Sequence, residues 1–103
     1  MANRTIHIEV LTASEERGNR GTFIGPPPHV KVDVNDIVTF DVRPPGSSFL
    51  VVFVGLSPFD EDEFTNDEPT DTVKFPGHYH YQVSVTLPDG GIFRITSCPE
   101  IEA

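Results

Sequence analysis

The sequence predicts an all-β fold, a Greek-key sandwich of seven or eight strands, and three observations carry that prediction. Apolar residues recur at every second position in several short segments. Turn-forming Gly, Pro, Asn and Asp punctuate the chain between them, and no long stretch has the spacing of an amphipathic helix. The 103 residues form one expected domain, 1–103, large enough for a core without covalent staples. The single cysteine, Cys98, has no partner for an internal disulfide. It reads as a small buried hydrophobe near a strand end, with a reactive thiol or metal ligand as the alternatives.

Thr5 to Thr12 alternates, with Ile6, Ile8 and Val10 on one face and His7, Glu9 and Leu11 on the other, the period of a half-buried first strand. The next stretch, SEERGNRGTFIGPPP, holds three Gly and three successive Pro and predicts a stiff, extended connection. ASEERGNR there has room for one helical turn and no more. Val30, Val32 and Val34 make a second alternating set, and Val38, Phe40 and Val42 a third. Between them, an Asn35-Asp36 turn either closes a hairpin or carries the chain from one sheet to the other.

Pro44, Pro45 and Gly46 end that strand, and the nearly continuous apolar run SSFLVVFVG suits a central strand covered on both faces. From Asp60 to Asp71 seven of twelve residues are acidic, which predicts an exposed, hydrated loop with Phe64 tucked beneath it. Thr72 to Phe75 reads as a short strand, ended by a Pro76-Gly77 turn. In HYHYQVSVTL the alternation is clearest: Tyr79, Tyr81, Val83, Val85 and Leu87 point one way, and His78, His80, Gln82, Ser84 and Thr86 the other. A turn at Pro88-Asp89-Gly90-Gly91 returns the chain into IFRITS as an antiparallel partner.

Sixteen acidic residues against seven Lys and Arg give a formal net charge of -9. That charge opposes a phosphate backbone or an anionic membrane, so neither nucleic acid nor membrane is an expected partner. The opening MANRTIHIEV passes directly into alternation without an apolar run of signal or membrane-span length, and a cytoplasmic location is the expectation.

Two strand motifs carry a family resemblance: Asp36-Ile37-Val38-Thr39-Phe40, a D-x-V-x-F pattern, and Gly77-His78-Tyr79-His80-Tyr81, a G-x-Y-x-Y pattern. Over about Val30 to Ser97 the chain resembles the cupredoxin-like family, with immunoglobulin-like domains as the close competitor. The resemblance implies a Greek-key sandwich. In blue-copper members it also implies a His just ahead of the V-V-F stretch, a position that falls here near Ser48 and Phe49, before Val51-Val52-Phe53. The copper thiolate would fall at Val83, the downstream His and Met ligands have no counterpart, and Met1 is the only Met. Blue-copper chemistry needs a thiolate and two imidazoles, so the resemblance implies the fold without the copper cofactor.

Other candidate sites follow from residue chemistry. His78 and His80 share a strand face and would converge on a metal if His7 or His29 joined them; the plainer reading places both rings on a solvated face. No carboxylate lies near them in sequence, so only folding can supply one. Asp60, Asp62, Asn66, Asp67 and Asp71 offer oxygen ligands for Ca²⁺, yet without the spacing or sixth-position Gly of an EF-hand the segment reads first as a solvated charge run. Ser47, Ser48 and His29 have no nucleophile-elbow context, and Gly18, Gly21 and Gly25 lack phosphate-cradling spacing.

The expectation is therefore a non-catalytic protein-interaction or assembly domain that is not an enzyme, with a protein partner or self-association and no cofactor. Contact is expected through the stiff GPPPH segment, Gly25 to His29, or through RPPGSSF with Phe49 at a loop tip. The alternative is a divergent metal-binding protein using the strand histidines.

Overall fold

The computed structural model describes residues 2–15, 18–43, 45–95 and 99–103, with the side chains of 11–15 and 18–24 left aside; Cys98 lies outside the described residues. Ten strands and no helix make up the described chain: β1 Asn3–Glu15, β2 Gly18–Gly25, β3 His29–Lys31, β4 Ile37–Arg43, β5 Ser48–Phe53, β6 Glu63–Thr65, β7 Thr70–Thr72, β8 His78–Thr86, β9 Ile92–Arg94 and β10 Glu100–Glu102. They form two mixed sheets, one ordered β2-β1-β4-β7 and the other β3-β10-β8-β5-β6, with β9 pairing β8 as well. β1 runs parallel to β4 and β10 parallel to β3, while the other pairs are antiparallel. The strand count exceeds the expected seven or eight because β2 takes the place of an expected connection and because β6 and β10 are strands of only three residues.

Alternation decides what each strand buries. Ile6, Ile8 and Val10 of β1, Val38 and Phe40 of β4, Phe49, Val51 and Phe53 of β5, and Tyr81, Val83 and Val85 of β8 all enter one core. Its centre is aromatic: Phe64 lies 4.9 Å from both Phe40 and Phe59, and Tyr81 lies 5.3 Å from Phe53 and 5.8 Å from Phe40. Rings offset or edge-on at these separations add about 0.5–1.5 kcal/mol per pair beyond their buried area. Phe64 thus anchors the acidic segment to the core, as its place among charged residues predicts.

Several expectations are corrected. The stretch read as a stiff connection with one helical turn is instead a β-hairpin: β1 runs on to Glu15, and β2 pairs back from Gly18 to Gly25. Its glycines, Gly18, Gly21 and Gly25, lie within the paired register and do not break it. Gly25 has a packing role, because a Cβ there would overlap the His7 carbonyl oxygen beside the register shift between Glu9 and Val10. The Val30-Val32-Val34 strand shrinks to His29–Lys31; Val32 stays buried just beyond it, but Val34 is exposed. Of the two courses open to the Asn35-Asp36 turn, the chain takes the crossing between sheets. The strand expected at Thr72 to Phe75 begins earlier, as β7 Thr70–Thr72.

β5 is interior to its sheet but covered on one face only, for Ser48 and Leu50 face outward and are exposed, as is Val54 just beyond its end. Phe49 is buried in β5 and not at a loop tip. The long strand through His78 to Thr86, the turn after it and the antiparallel β9 match the alternation read from sequence.

A buried carboxylate pins the crossover from β3 to β4. Asp36 accepts the backbone N–H of Asp33 at 2.9 Å and of Ala2 at 3.0 Å, and faces Arg4 Nε at 3.5 Å. The Asp33 bond foremost, with those of Ala2 and Arg4, outweighs burial and holds the Asp36 carboxyl below its ordinary value.

Candidate functional site

The chemistry-bearing side chains gather on the outer face of the second sheet, where β10 lies between β3 and β8. In β8 the inward set is apolar, so His78 and His80 are left on the solvent face. β10 contributes Glu100 and Glu102 to that same face by burying Ile101 between them. Register sets Glu100 opposite His80 on one side and His29 on the other, and Glu102 opposite His78 and Lys31. Three imidazoles from two strands therefore surround one carboxylate.

The distances make this a connected network. His29 Nε2 lies 3.0 Å from Glu102 Oε1 and 3.3 Å from Glu100 Oε1. His78 Nδ1 lies 3.1 Å from Glu100 Oε2, and His80 Nε2 stands 3.8 Å from that oxygen, beyond a direct hydrogen bond. All four groups keep solvent access. Sequence reasoning named His78, His80 and His29 but missed Glu100 and Glu102. His7 does not join them: it sits on β1 in the other sheet, 3.3 Å from Asp41.

The acidic segment is tied to the residues around it. Asp60 pairs with Lys74, Asn66 accepts the Phe49 N–H at 2.8 Å and donates to the Ser47 carbonyl at 3.0 Å, and Asp71 accepts the Thr72 N–H at 2.8 Å. The Asp60 carboxylate pushes the Lys74 ammonium above its ordinary value. Asp62 and Asp67 stand exposed beside them.

Ser47 Oγ is buried with no hydrogen-bond partner among the described residues. Ser48 is paired with Thr86 at the far end of β8, and β5 lies three strand spacings from the β3 that holds His29. At about 4.8 Å per spacing, the serine and imidazole named together in the sequence are not within reach of each other. In GPPPH, Gly25 and Pro26 are buried while Pro27, Pro28 and His29 are exposed. Gly25 and Pro27 line a cleft of about 360 Å³ with Arg4, His7, Glu9 and Lys31.

The sheet edges differ in kind. β3, β6, β7 and β9 are each three residues long, whereas β2 runs for eight. Beyond Glu9, β4 no longer supports the hairpin, and the pairs from Val10↔Phe23 to Glu15↔Gly18 project as a two-stranded arm. The molecule is accordingly long, 46 × 23 × 20 Å. No helix among the described residues is long and apolar enough to cross a membrane. Compared with protein-family models and with curated proteins, the chain gives no match.

Proposed function

We propose that this chain is a copper-free, cupredoxin-like sandwich acting as a non-catalytic assembly domain, with the β2 edge as its contact element and a second copy of the chain as its partner. The observation that carries the reading is the edge itself. Short edge strands offer little to pair with, and four of the edges here are short. β2 presents eight residues without a single Pro, on an arm that has no third strand of its own. A lone hairpin is marginal in water, and another strand added to its edge stabilises it.

Charge favours self-pairing at this place. The paired residues 11–15 and 18–24 contain one acidic and one basic residue, Glu15 and Arg20, so they are formally neutral in a chain of net charge -9. Two copies meeting elsewhere would bring like charges together. An antiparallel pair of β2 strands about a two-fold axis is self-complementary and closed. The cupredoxin-like part of the reading is supported by repeated crossings between the sheets and by Phe40 and Tyr81, from the two motifs, meeting across the core. Val83, at the position of the family's copper thiolate, is a buried apolar residue.

The test is sedimentation velocity on the full chain over about 1 to 200 µM, beside a variant with Thr12–Gly21 replaced by Asn-Gly. That replacement keeps the Leu11↔Thr22 pair as the new end of the hairpin. The reading expects a concentration-dependent dimer for the full chain and, for the variant, a monomer that still unfolds in one cooperative transition. A full chain that stays monomeric throughout, or a shortened chain that dimerises equally well, overturns it.

A further inference from the structure

We propose that the outer face of β8 and β10 is a binding site for a late-transition-metal dication, Cu²⁺ or Zn²⁺, with His78, His80 and Glu100 as ligands and His29 as the residue that positions Glu100. Two histidines at i and i+2 of a strand project to the same side, about 6.6 Å apart along the backbone, so their rings can lean toward a shared ion. Glu100 completes the set from the neighbouring strand, opposite His80 in register and diagonal to His78. Its Oε2 atom stands 3.1 Å from His78 Nδ1 and 3.8 Å from His80 Nε2. Ligand atoms on a tetrahedral ion with bonds of about 2.0–2.1 Å are about 3.3–3.4 Å from one another, a value these two separations bracket.

As the side chains stand, no group of three or more His, Cys, Asp or Glu among the described residues is set to hold a metal ion. Binding therefore requires movement, chiefly at His80, the more distant of the two rings. Both imidazoles are more than half exposed, and a histidine ring turns broadly about its terminal torsion. No core contact has to break for the site to close.

The donor set selects the class of ion. Two imidazole nitrogens and one carboxylate oxygen suit Cu²⁺, Ni²⁺ or Zn²⁺, whereas Ca²⁺ and Mg²⁺ prefer oxygen throughout. Glu100 and Glu102 give the face negative charge, which favours any cation, with Lys31 opposite Glu102 as the nearby opposing charge. His29 supplies the outer support. Its Nε2 holds Glu100 Oε1 at 3.3 Å and is itself held by Glu102 Oε1 at 3.0 Å, leaving Oε2 turned toward β8. Supports of this kind commonly change metal affinity by about 10–100-fold.

The test is calorimetric titration of Zn²⁺, and separately Cu²⁺, into metal-free full-length chain, with native mass spectrometry to count ions. One ion per chain is expected. The His78→Ala/His80→Ala double variant is expected to lose the complex, Glu100→Gln and His29→Ala to weaken it about tenfold, and His7→Ala, on the other sheet, to leave it unchanged. The substituted histidines are exposed, Glu100 is half-buried on the interior strand β10, and far-UV spectra verify that each variant is folded. Failure to form a one-to-one complex, or uptake that survives the double variant, overturns the proposal. The arm-shortened chain is expected to bind metal like the full chain, so this result and the dimer result stand or fall separately.

Discussion

Replacing Tyr81 by Phe is expected to stabilise this protein, although it removes a polar group from the centre of the core. The ring is fully buried between Phe40 and Phe53, and its hydroxyl has no hydrogen-bond partner among the described residues. In the unfolded chain that hydroxyl is hydrated, so burying it unpaired costs about 1–3 kcal/mol. Deleting the oxygen forfeits the dispersion contacts of one heavy atom, about 0.5–1 kcal/mol at 0.1–0.2 kcal/mol per contact. The balance is a gain of about 1 kcal/mol, or about 4 °C or more in melting temperature for a domain of this size. Urea unfolding at pH 7 should show a higher midpoint with an unchanged slope.

The same burial has a pH signature, since it pushes the Tyr81 phenol well above its ordinary value of 10.0. The folded state therefore keeps a proton that the unfolded state releases first. Stability is full below pH 10.0 and falls as pH rises from there toward the folded value. Tyr81→Phe should remove that part of the alkaline slope. A variant less stable by about 1 kcal/mol at pH 7, or an alkaline slope identical in both proteins, would refute the reasoning and show that the hydroxyl is bonded inside the core.

Three further substitutions probe other joints of the fold. Phe64→Ala removes the ring that fastens the acidic segment to Phe40 and Phe59 and should cost about 3–5 kcal/mol in guanidinium unfolding. Gly25→Ala forces a methyl group against the His7 carbonyl at the base of the arm; a loss of about 1–3 kcal/mol is expected, read as a lowered melting temperature. Asp36→Asn should lower stability at neutral pH and flatten the acid limb. The Asp36 carboxyl is held below 3.8 in the fold, so its contribution is present above that value and lost as pH falls through the lower folded one. Circular dichroism during acid titration of both proteins checks the difference, and parallel acid limbs would contradict it.

What the sequence discloses depends on how long each periodic segment is. β8 spans nine residues and its alternation places both its aromatic and its histidine faces correctly. β10 has three, Glu100-Ile101-Glu102, and three residues cannot display a period. Its existence depends on strands on both sides, one of them, His29–Lys31, far earlier in the chain, so nothing local announces it. The two carboxylates of the candidate site were invisible for that reason, while the histidines they meet were legible. β5 failed differently: its run is apolar on both faces, and the aromatic residues Phe49 and Phe53 marked the inner one. In the hairpin, Gly18, Gly21 and Gly25 lie within a paired strand, and at Gly25 the close approach of the His7 carbonyl is what the glycine accommodates.

The two proposed sites also place different demands on the acidic composition. Repulsion between bodies of net charge -9 closes off most face-to-face encounters and leaves the neutral arm as the approach of least cost, so raising the salt should relax the selectivity for β2. At the histidine face the same negative charge is an attraction, because the entering species is a cation. Salt should therefore weaken metal uptake while widening the choice of protein contacts. Opposite responses to one variable separate a chain that is merely acidic and hydrated from one whose charge is arranged around two distinct places.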